Sequence, residues 1–307
     1  MALLVLALAP ALLGGCGDEG EEGPDDGGAL APAPAGDLRI AVAGRIETLD
    51  PLLADDRAER LASRQIHEPL VSTQSGPFGS ARQRPGIASS IRASAGDTIW
   101  TARLRPGVRF QNGEPLDSEA VLANVDRWRA VEPGPVLLSN LAAADYPRPG
   151  IVRFILSRPD PAFPSTLADS RLGLIAPSEL PTIASAPVKL GPSGSGPFEL
   201  REREGGTTLL ARNLSWWGAG LGLGPGIEQI ELVEVPGSKA RARELVGGTV
   251  DLAHGLGAAA ARIVAADPLL DLVGARRQIV GVSRAVRGVE SAAADQQLAD
   301  VWLTSLR

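Results

Sequence analysis

The chain of 307 residues contains a single cysteine, Cys16, which lies at the end of an apolar run that begins at Ala2. Because there is no second cysteine, no disulfide within the chain can support the fold, and the structured part has to be held by a hydrophobic core. About 270 residues follow position 36, which is long enough for a large core and for more than one domain.

The N-terminal stretch has the pattern of an export signal, because its short apolar run is followed by small residues. Leu12-Leu13-Gly14-Gly15-Cys16 resembles a bacterial lipobox. The resemblance implies a signal peptide over residues 1–16, cleavage before Cys16, lipidation of Cys16, and a protein anchored to the outer face of the cell membrane. The alternative is an ordinary secretory signal with a chance cysteine. No Lys or Arg lies between Met1 and Cys16, so either the true start lies upstream or the signal is atypical.

Residues 17–36 are acidic and Gly-rich and then rich in Pro and Ala, which predicts a disordered tether. The formal charge of -6 arises entirely from residues 1–36, and the rest of the chain has as many acidic as basic residues. A neutral body argues against a nucleic-acid binder, which would carry a concentrated basic excess. No later apolar stretch reaches the roughly 20 residues that a membrane-spanning helix needs.

Strand and helix patterns alternate along the body without one period dominating, which predicts a mixed α/β fold with more than one sheet. We expect a polar turn over 72–85 and a loop over 131–150. The predicted helix starts are Asp55 or Asp56, Asp117, and Ser238, whose helix runs through Val246. The predicted strands cover 38–42, 151–156, 198–203, 207–213, 227–235 and 249–253.

A series of short motifs then resembles the bacterial extracytoplasmic solute-binding protein family 5, the substrate-binding lipoproteins of peptide and nickel ABC importers. Each motif is weak alone, but seven of them occur in the family's order over residues 38–253. They are Leu49-Asp50-Pro51, Gln65 to Val71, Leu104 to Phe110, Asn112 to Val121, Gly194-Ser195-Gly196-Pro197-Phe198, Arg212-Asn213 with Trp216-Trp217-Gly218, and Gly247 to Leu252.

The resemblance implies a periplasmic-binding-protein-like fold of class II, or cluster C. The first lobe is expected over 37–72 and 187–272, and an accessory domain over 73–186. Family members continue into a second lobe, which a hinge closes over the ligand. Here 273–307 resembles only the beginning of that lobe, so we expect a C-terminally shortened member whose second lobe is largely missing.

The resemblance also gives two candidate ligand-binding segments. Arg45, Ile46 and Glu47 follow the first strand, where Glu47 could meet a cationic group of the ligand, or could be a solvated turn carboxylate. His254, Gly255 and Leu256 follow a later strand in a loop that points into the family's cleft. His254 could exchange a hydrogen bond with the ligand there, or could be a surface loop histidine.

Three further features have structural interpretations. The glycine-rich turn from Gly194 to Phe198 marks the return of the chain to the first lobe and allows close backbone packing. At least one of Trp216 and Trp217 is expected in the core, and Asp50 is expected to cap a turn.

The chain lacks the motifs of the common enzyme and nucleotide-binding sites. Gly191 to Ser195 does not fit a nucleophile elbow, and Gly220 to Gly224 does not complete a dinucleotide-binding fingerprint because Pro225 follows. His67 and His254 are the only histidines, which leaves little for a metal site. We therefore expect no enzyme activity, no cofactor and no metal.

The leading hypothesis is a lipid-anchored, extracytoplasmic substrate-binding protein of an ABC importer that captures a small, peptide-like solute for a membrane permease. The alternative is a one-lobed interaction or sensor lipoprotein whose exposed cleft face binds a protein partner or a second copy of itself. A third possibility is a gene remnant or the front half of a split gene.

Overall fold

The computed structural model describes residues 36–75, 81–180, 191–221, 226–275 and 278–283. The predicted signal peptide, Cys16 and nearly all of the predicted tether lie outside the described residues, as does most of 273–307. The described part contains a seven-stranded sheet, a four-stranded sheet and a two-stranded hairpin, together with helices. The predicted mixed α/β class with more than one sheet is confirmed. Among the described residues, no helix is long and apolar enough to cross a membrane.

The seven-stranded sheet has a parallel centre. The strand β1 (Asp37–Val42) pairs in parallel with both β10 (Gln229–Glu234) and β11 (Leu252–Leu256), whereas the remaining pairs are antiparallel. In spatial order the strands are β12 (Leu270–Ala275), β13 (Gln278–Ser283), β11 (Leu252–Leu256), β1 (Asp37–Val42), β10 (Gln229–Glu234), β9 (Thr207–Arg212) and β8 (Phe198–Glu204).

The four-stranded sheet is antiparallel and is formed by the chain between β1 and β8. The two-stranded hairpin precedes it in the chain and pairs Val71 with Pro85. The strands of the smaller sheet, in spatial order, are β4 (Ala88–Ser94), β5 (Ile99–Leu104), β7 (Ile151–Leu156) and β6 (Leu141–Arg148). The hairpin strands are β2 (Val71–Ser75) and β3 (Ala81–Pro85).

The helices begin where the sequence offers a cap or a tight turn. Asp56 accepts a hydrogen bond from the Glu59 N–H, and Asp117 accepts from the N–H groups of Glu119 and Ala120, so both predicted caps are confirmed. The helices are α1 (Arg57–Ile66), α2 (Ser118–Ala130), α3 (Gly134–Leu137), α4 (Phe163–Thr166), α5 (Ser238–Val246) and α6 (Ala258–Ala265).

Helices cover both faces of the large sheet around β1. On one face, Leu38, Ile40 and Val42 pack in a core with the apolar side of α1. On the other face, Ala41 packs in a second core with α5 and α6. A strand that is buried on both faces of a sheet needs apolar side chains on both faces. The side chains of β1 are apolar on both faces except near the N-terminal end of the strand. The smaller sheet packs with α2 in a third core.

Four details of the sequence interpretation are wrong. Residues 72–85 are not a turn, because most of them form the β2–β3 hairpin, and 131–150 contains α3 and β6. The strand predicted at 249–253 lies three residues later, as β11. Ser238 is not the N-cap of α5: Gly237 takes that position with φ +87°, while the Ser238 hydroxyl accepts a hydrogen bond from the Gly257 N–H at 2.7 Å.

Candidate functional site

The two predicted ligand-binding segments meet at one edge of the large sheet. Because β1, β10 and β11 are parallel, their carboxyl ends lie at the same edge. The loop after β1 therefore lies beside the end of β11, and the β8–β9 turn lies at this edge too, since Thr207 pairs with Val233. A shallow pocket of about 280 Å³ opens at the β8–β9 side of the edge. It is lined by Arg45, Ile46, Arg203, Glu204, Gly205, Gly206, Thr207 and Thr208.

A buried carboxylate holds the loop after β1. Glu59 of α1 accepts hydrogen bonds from the N–H groups of Glu47 at 3.0 Å and of Thr48 at 3.1 Å. Ile46 is buried, whereas the side chains of Arg45 and Glu47 are exposed. Glu47 lies 3.7 Å from the Arg45 guanidinium and 3.8 Å from that of Arg203. Because Glu47 is exposed and both separations are long, these pairs stabilise the fold little.

The segment from His254 to Leu256 lies within β11, not in a loop after a strand. The side chains of His254 and Leu256 are buried, so His254 is not a surface loop histidine. Gly255 is partly exposed and has φ +67°, at the point where the pairing of β11 with β13 shifts register. A positive φ favours glycine, so the bulge explains the residue type at this position. Gly255 is therefore the accessible member of the three.

The sequence interpretation missed Arg241, whose buried side chain joins two of the strand ends. Its Nε donates to the His254 carbonyl at 2.8 Å, its Nη2 to the Gly255 carbonyl at 2.8 Å, and its Nη1 to the Val235 carbonyl at 2.9 Å. The Val235 N–H in turn donates to the Val42 carbonyl at 2.9 Å. One guanidinium thus fixes the carboxyl ends of β10 and β11, and through Val235 that of β1.

A second polar cluster, centred on Glu68, lies where the chain leaves and returns to the large sheet. One Glu68 oxygen accepts hydrogen bonds from the Ser195 hydroxyl at 3.0 Å and from the indole N–H groups of Trp217 at 2.8 Å and Trp216 at 3.3 Å. Burial raises the pKa of Glu68 to about 7, although these hydrogen bonds and the nearby Arg105 charge oppose the increase. Trp216 is buried, which confirms that one of the two tryptophans is in the core.

The glycine-rich turn at 194–198 makes the predicted close backbone packing, and the structure shows that its partner is the end of α1. The Gly196 N–H donates to the Ile66 carbonyl at 2.8 Å. A side chain at Gly194 would overlap the same carbonyl and would lie 2.7 Å from the His67 Nδ1. The absence of side chains is therefore what allows the two segments to approach.

Asp50 has a larger role than the predicted turn cap. Its Oδ1 accepts from the Leu52 N–H at 3.1 Å, which confirms the cap, and its Oδ2 pairs with the Arg127 guanidinium. Both side chains of the pair are buried. The ion pair joins the loop after β1 to α2, and the sequence contained no signal that linked these two distant residues.

No group of three or more acidic, histidine or cysteine side chains suitable for a metal ion occurs in the described parts of the chain.

The fold and the sheet edge define a lobe of the periplasmic binding-protein type. NikA from Brucella suis, solved in complex with Fe(III)-EDTA, superposes with a TM-score of 0.66 at 26% identity, over 77% of this chain and 48% of that chain. DppA from Helicobacter pylori, solved in complex with the peptide STSA, has a TM-score of 0.65 at 20% identity, over 78% of this chain and 50% of that chain. The expected periplasmic-binding-protein-like fold is confirmed.

A family model described as bacterial extracellular solute-binding proteins, family 5, middle, matches residues 82–286. The chain belongs to this family. The family consists of solute-binding proteins of transporters that act outside the cytoplasm, and not of enzymes.

Curated relatives agree with the family. The probable D,D-dipeptide-binding periplasmic protein DdpA of Escherichia coli K12 is 28% identical over 235 residues, which are 74% of this chain and 45% of that protein. The glutathione-binding protein GsiB of the same strain is 26% identical over 257 residues, or 82% of this chain and 45% of that protein. The chain spans about half the length of the curated relatives it matches.

Proposed function

We propose that the protein captures a small solute, a short peptide in the first instance, outside the cytoplasmic membrane and delivers it to an ABC permease. The observation that carries the proposal is that the two segments predicted to bind ligand lie at one sheet edge, in a member of a solute-binding family. The partly exposed Gly255 lies on one side of β1, and the pocket beside Arg45 lies on the other.

The preference for a peptide rests on the relatives and on the type of site. DdpA and GsiB are named for a D,D-dipeptide and for glutathione, and DppA was solved with a peptide. The edge offers backbone groups near Gly255 and side chains of both signs, Arg45 and Glu47. Such a mixture suits a ligand with amide groups and charges of both signs, as a free peptide has.

The place of capture follows from the sequence of the N-terminal stretch. We propose that Cys16 carries the lipid anchor, with the tether over 17–36 spacing the binding lobe from the membrane. Two acyl chains give stable anchoring, which keeps the protein near its permease.

The two sheets support a division into lobes. We propose that 37–72 with 187–272 forms the first lobe and that 73–186 forms the accessory domain. The strands β12 and β13 belong to the large sheet, so the first lobe continues to Ser283 and the expected start of a second lobe at 273 lies too early. In this arrangement the carboxyl edge of the large sheet faces the ligand cleft.

Isothermal titration calorimetry on the purified full-length chain tests the proposal, with di- to pentapeptides, glutathione and a nickel–histidine chelate as probes. We expect at least one peptide to bind, and the double variant Arg45→Ala/Glu47→Ala to weaken that binding by about tenfold or more. The matched control Arg92→Ala/Asp126→Ala removes the same two charge types from exposed positions near the smaller sheet and should leave the affinity unchanged. Binding by none of the probes would overturn the proposed capture role, and binding in a strictly self-associated form would favour the interaction hypothesis.

A further inference from the structure

The charge of Arg241 is buried and has only neutral hydrogen-bond partners. The side chain contacts the carbonyl groups of Val235, His254 and Gly255, and no carboxylate of the described chain lies within ion-pair distance. Burial lowers the pKa of the guanidinium, and no acidic neighbour offsets that effect. An arginine remains charged under these conditions, so the edge holds a buried positive charge without a counter-charge.

The other buried arginine of the described chain and the two arginines beside the pocket have acidic neighbours. Arg127 is the other arginine with a buried side chain, and it pairs with Asp50. At the same sheet edge, Arg45 and Arg203 both lie near Glu47. Natural proteins pair buried charges because an unpaired one is costly. An unpaired charge at a binding edge therefore points to a counter-charge that arrives with a ligand.

The charge distribution along the edge shows where that counter-charge fits. The segments 235–241 and 254–263 contain Lys239, Arg241 and Arg262 but neither Asp nor Glu. The opposite side of β1, beside the pocket, carries Glu47 and Glu204 together with Arg45 and Arg203, so its charges balance. The side beside β11 has the excess of positive charge, and an anion would be attracted there.

The two helix starts at this side add to the positive potential. The helices α5 and α6 begin at Ser238 and Ala258. The N-cap residue of each helix is a glycine, which has no side chain that could cap the helix. Their starts are adjacent, because the Gly257 N–H donates to the Ser238 hydroxyl. The N-terminal ends of helices carry partial positive charge, which adds to the charge of Arg241.

We propose that the captured solute has a carboxylate group that lies against the Gly255–Gly257 end of β11, where the buried charge of Arg241 determines specificity. The inference rests on the proposed function, since it assumes that the edge binds a solute. Arg241 acts as a positioning and electrostatic residue, because it holds the carbonyl groups of the strand ends and does not reach the surface itself. A buried charge acts over a longer distance than an exposed one, since less water screens it.

The experiment compares two peptides that differ only in their terminal charge. Ala-Ala-Ala with a free carboxylate and Ala-Ala-Ala amide are titrated into the full-length chain by calorimetry. We expect the free acid to bind about tenfold or more tightly than the amide. In Arg241→Met this preference should vanish, and Arg241→Lys, which keeps the charge but not the fork of donors, should retain part of it. Arg243→Met is the matched control, because Arg243 is exposed on the same helix, and it should keep the full preference.

The outcomes separate this inference from the proposed function. If the amide binds as well as the acid, the protein captures peptides but the preference for a carboxylate is overturned. If Arg241→Met weakens both peptides by the same factor, Arg241 is merely structural and its role in specificity is overturned. If neither peptide binds the wild-type chain while another peptide binds equally well as its free acid and as its amide, the capture role stands and the preference for a carboxylate is overturned. If Arg241→Met does not fold, the wild-type ratio and the Arg241→Lys ratio still decide.

Discussion

The two buried arginines of the described chain differ in one respect. Arg127 lies at the junction between the two sheets and is neutralised by Asp50, whereas Arg241 lies at the carboxyl edge of the large sheet and has only carbonyl partners. The charge at the junction is neutralised within the protein, although Nε and Nη1 of Arg127 have no hydrogen-bond partner among the described residues. At the edge, the proposed ligand supplies the missing negative charge. The comparison contrasts a buried charge that the fold neutralises with one that the described chain leaves without a counter-charge.

Breaking the ion pair between Asp50 and Arg127 at the junction should have the largest effect on stability. Asp50→Asn leaves the Arg127 guanidinium buried without a counter-charge, and we expect a loss of about 3–5 kcal/mol of unfolding free energy in denaturant titrations. Asp145→Asn is the matched control, because Asp145 pairs with Arg153 on the surface, and it should change stability by no more than about 1 kcal/mol. Equal effects of the two variants would contradict the comparison.

Neighbouring residues at the junction should give opposing pH dependences. Burial raises the pKa of Glu68 to about 7, so the folded state keeps this proton longer than the unfolded state and stability falls as pH rises from about 4.5 to about 7. Burial lowers the pKa of His67 to about 4, so its contribution to stability rises with pH from about 4 to about 6.5. The two contributions largely cancel over their common range.

Glu68→Gln removes the contribution of Glu68 to the pH dependence of stability, so that the contribution of His67 can be measured. The variant should gain stability relative to the wild type as pH rises from about 4.5 to about 7, by a total on the order of 3 kcal/mol. Urea unfolding at several pH values measures this difference. Glu202→Gln, at an exposed position of β8, is the control and should give a constant difference. A constant difference for Glu68→Gln as well would contradict the assigned burial of this carboxyl group.

The close approach at the glycine-rich turn gives a smaller effect. Gly194→Ala places a methyl group against the Ile66 carbonyl, and we expect a loss of about 1–3 kcal/mol from the backbone shift that it forces. Gly220→Ala should be nearly neutral, because no atom lies within 4 Å of its added methyl group. Thermal unfolding measures the difference in stability between the two variants. A Gly194→Ala variant as stable as the wild type would show that the glycine-rich turn can move away from the end of α1 without a loss of stability.

The smallest effect is expected at an exposed ion pair of the large sheet. Arg39 of β1 and Glu231 of β10 lie 2.6 Å apart but are partly exposed. Glu231→Gln should change the unfolding free energy by less than about 1 kcal/mol, since water screens the pair. A loss as large as that of Asp50→Asn would show that burial does not govern the value of ion pairs in this protein.

The sequence predicted those elements whose own residues determine them. The start of α2 at Asp117 and the alternation in β1 are local patterns, and both are confirmed. The hairpin of β2 and β3 was missed because its polar residues show no apolar alternation, and β6 was missed because its first residues are mostly alanine.

The charges at the site could be predicted only in part. The sheet order brings Arg45 and Gly255 to one edge, and the family resemblance predicts that both segments contact the ligand. Arg241 could not be distinguished from Arg243 by composition, since both belong to one basic helix. One signal was present: Leu245 lies four residues after Arg241 and belongs to the core, so Arg241 lies on the same face of α5. That Asp50 pairs with Arg127 was not predictable, because only the tertiary fold joins them.

The most direct test of the central claim is native mass spectrometry on the full-length protein, purified gently from its own host in detergent. Capture of a solute at the sheet edge predicts a monomer that carries a defined small-molecule mass, with a carboxylate in the released compound. The mass should be lost in Arg241→Met and retained in Arg243→Met. A ligand-free dimer, or a complex with another polypeptide, would contradict the account, because the edge would then serve as a protein interface.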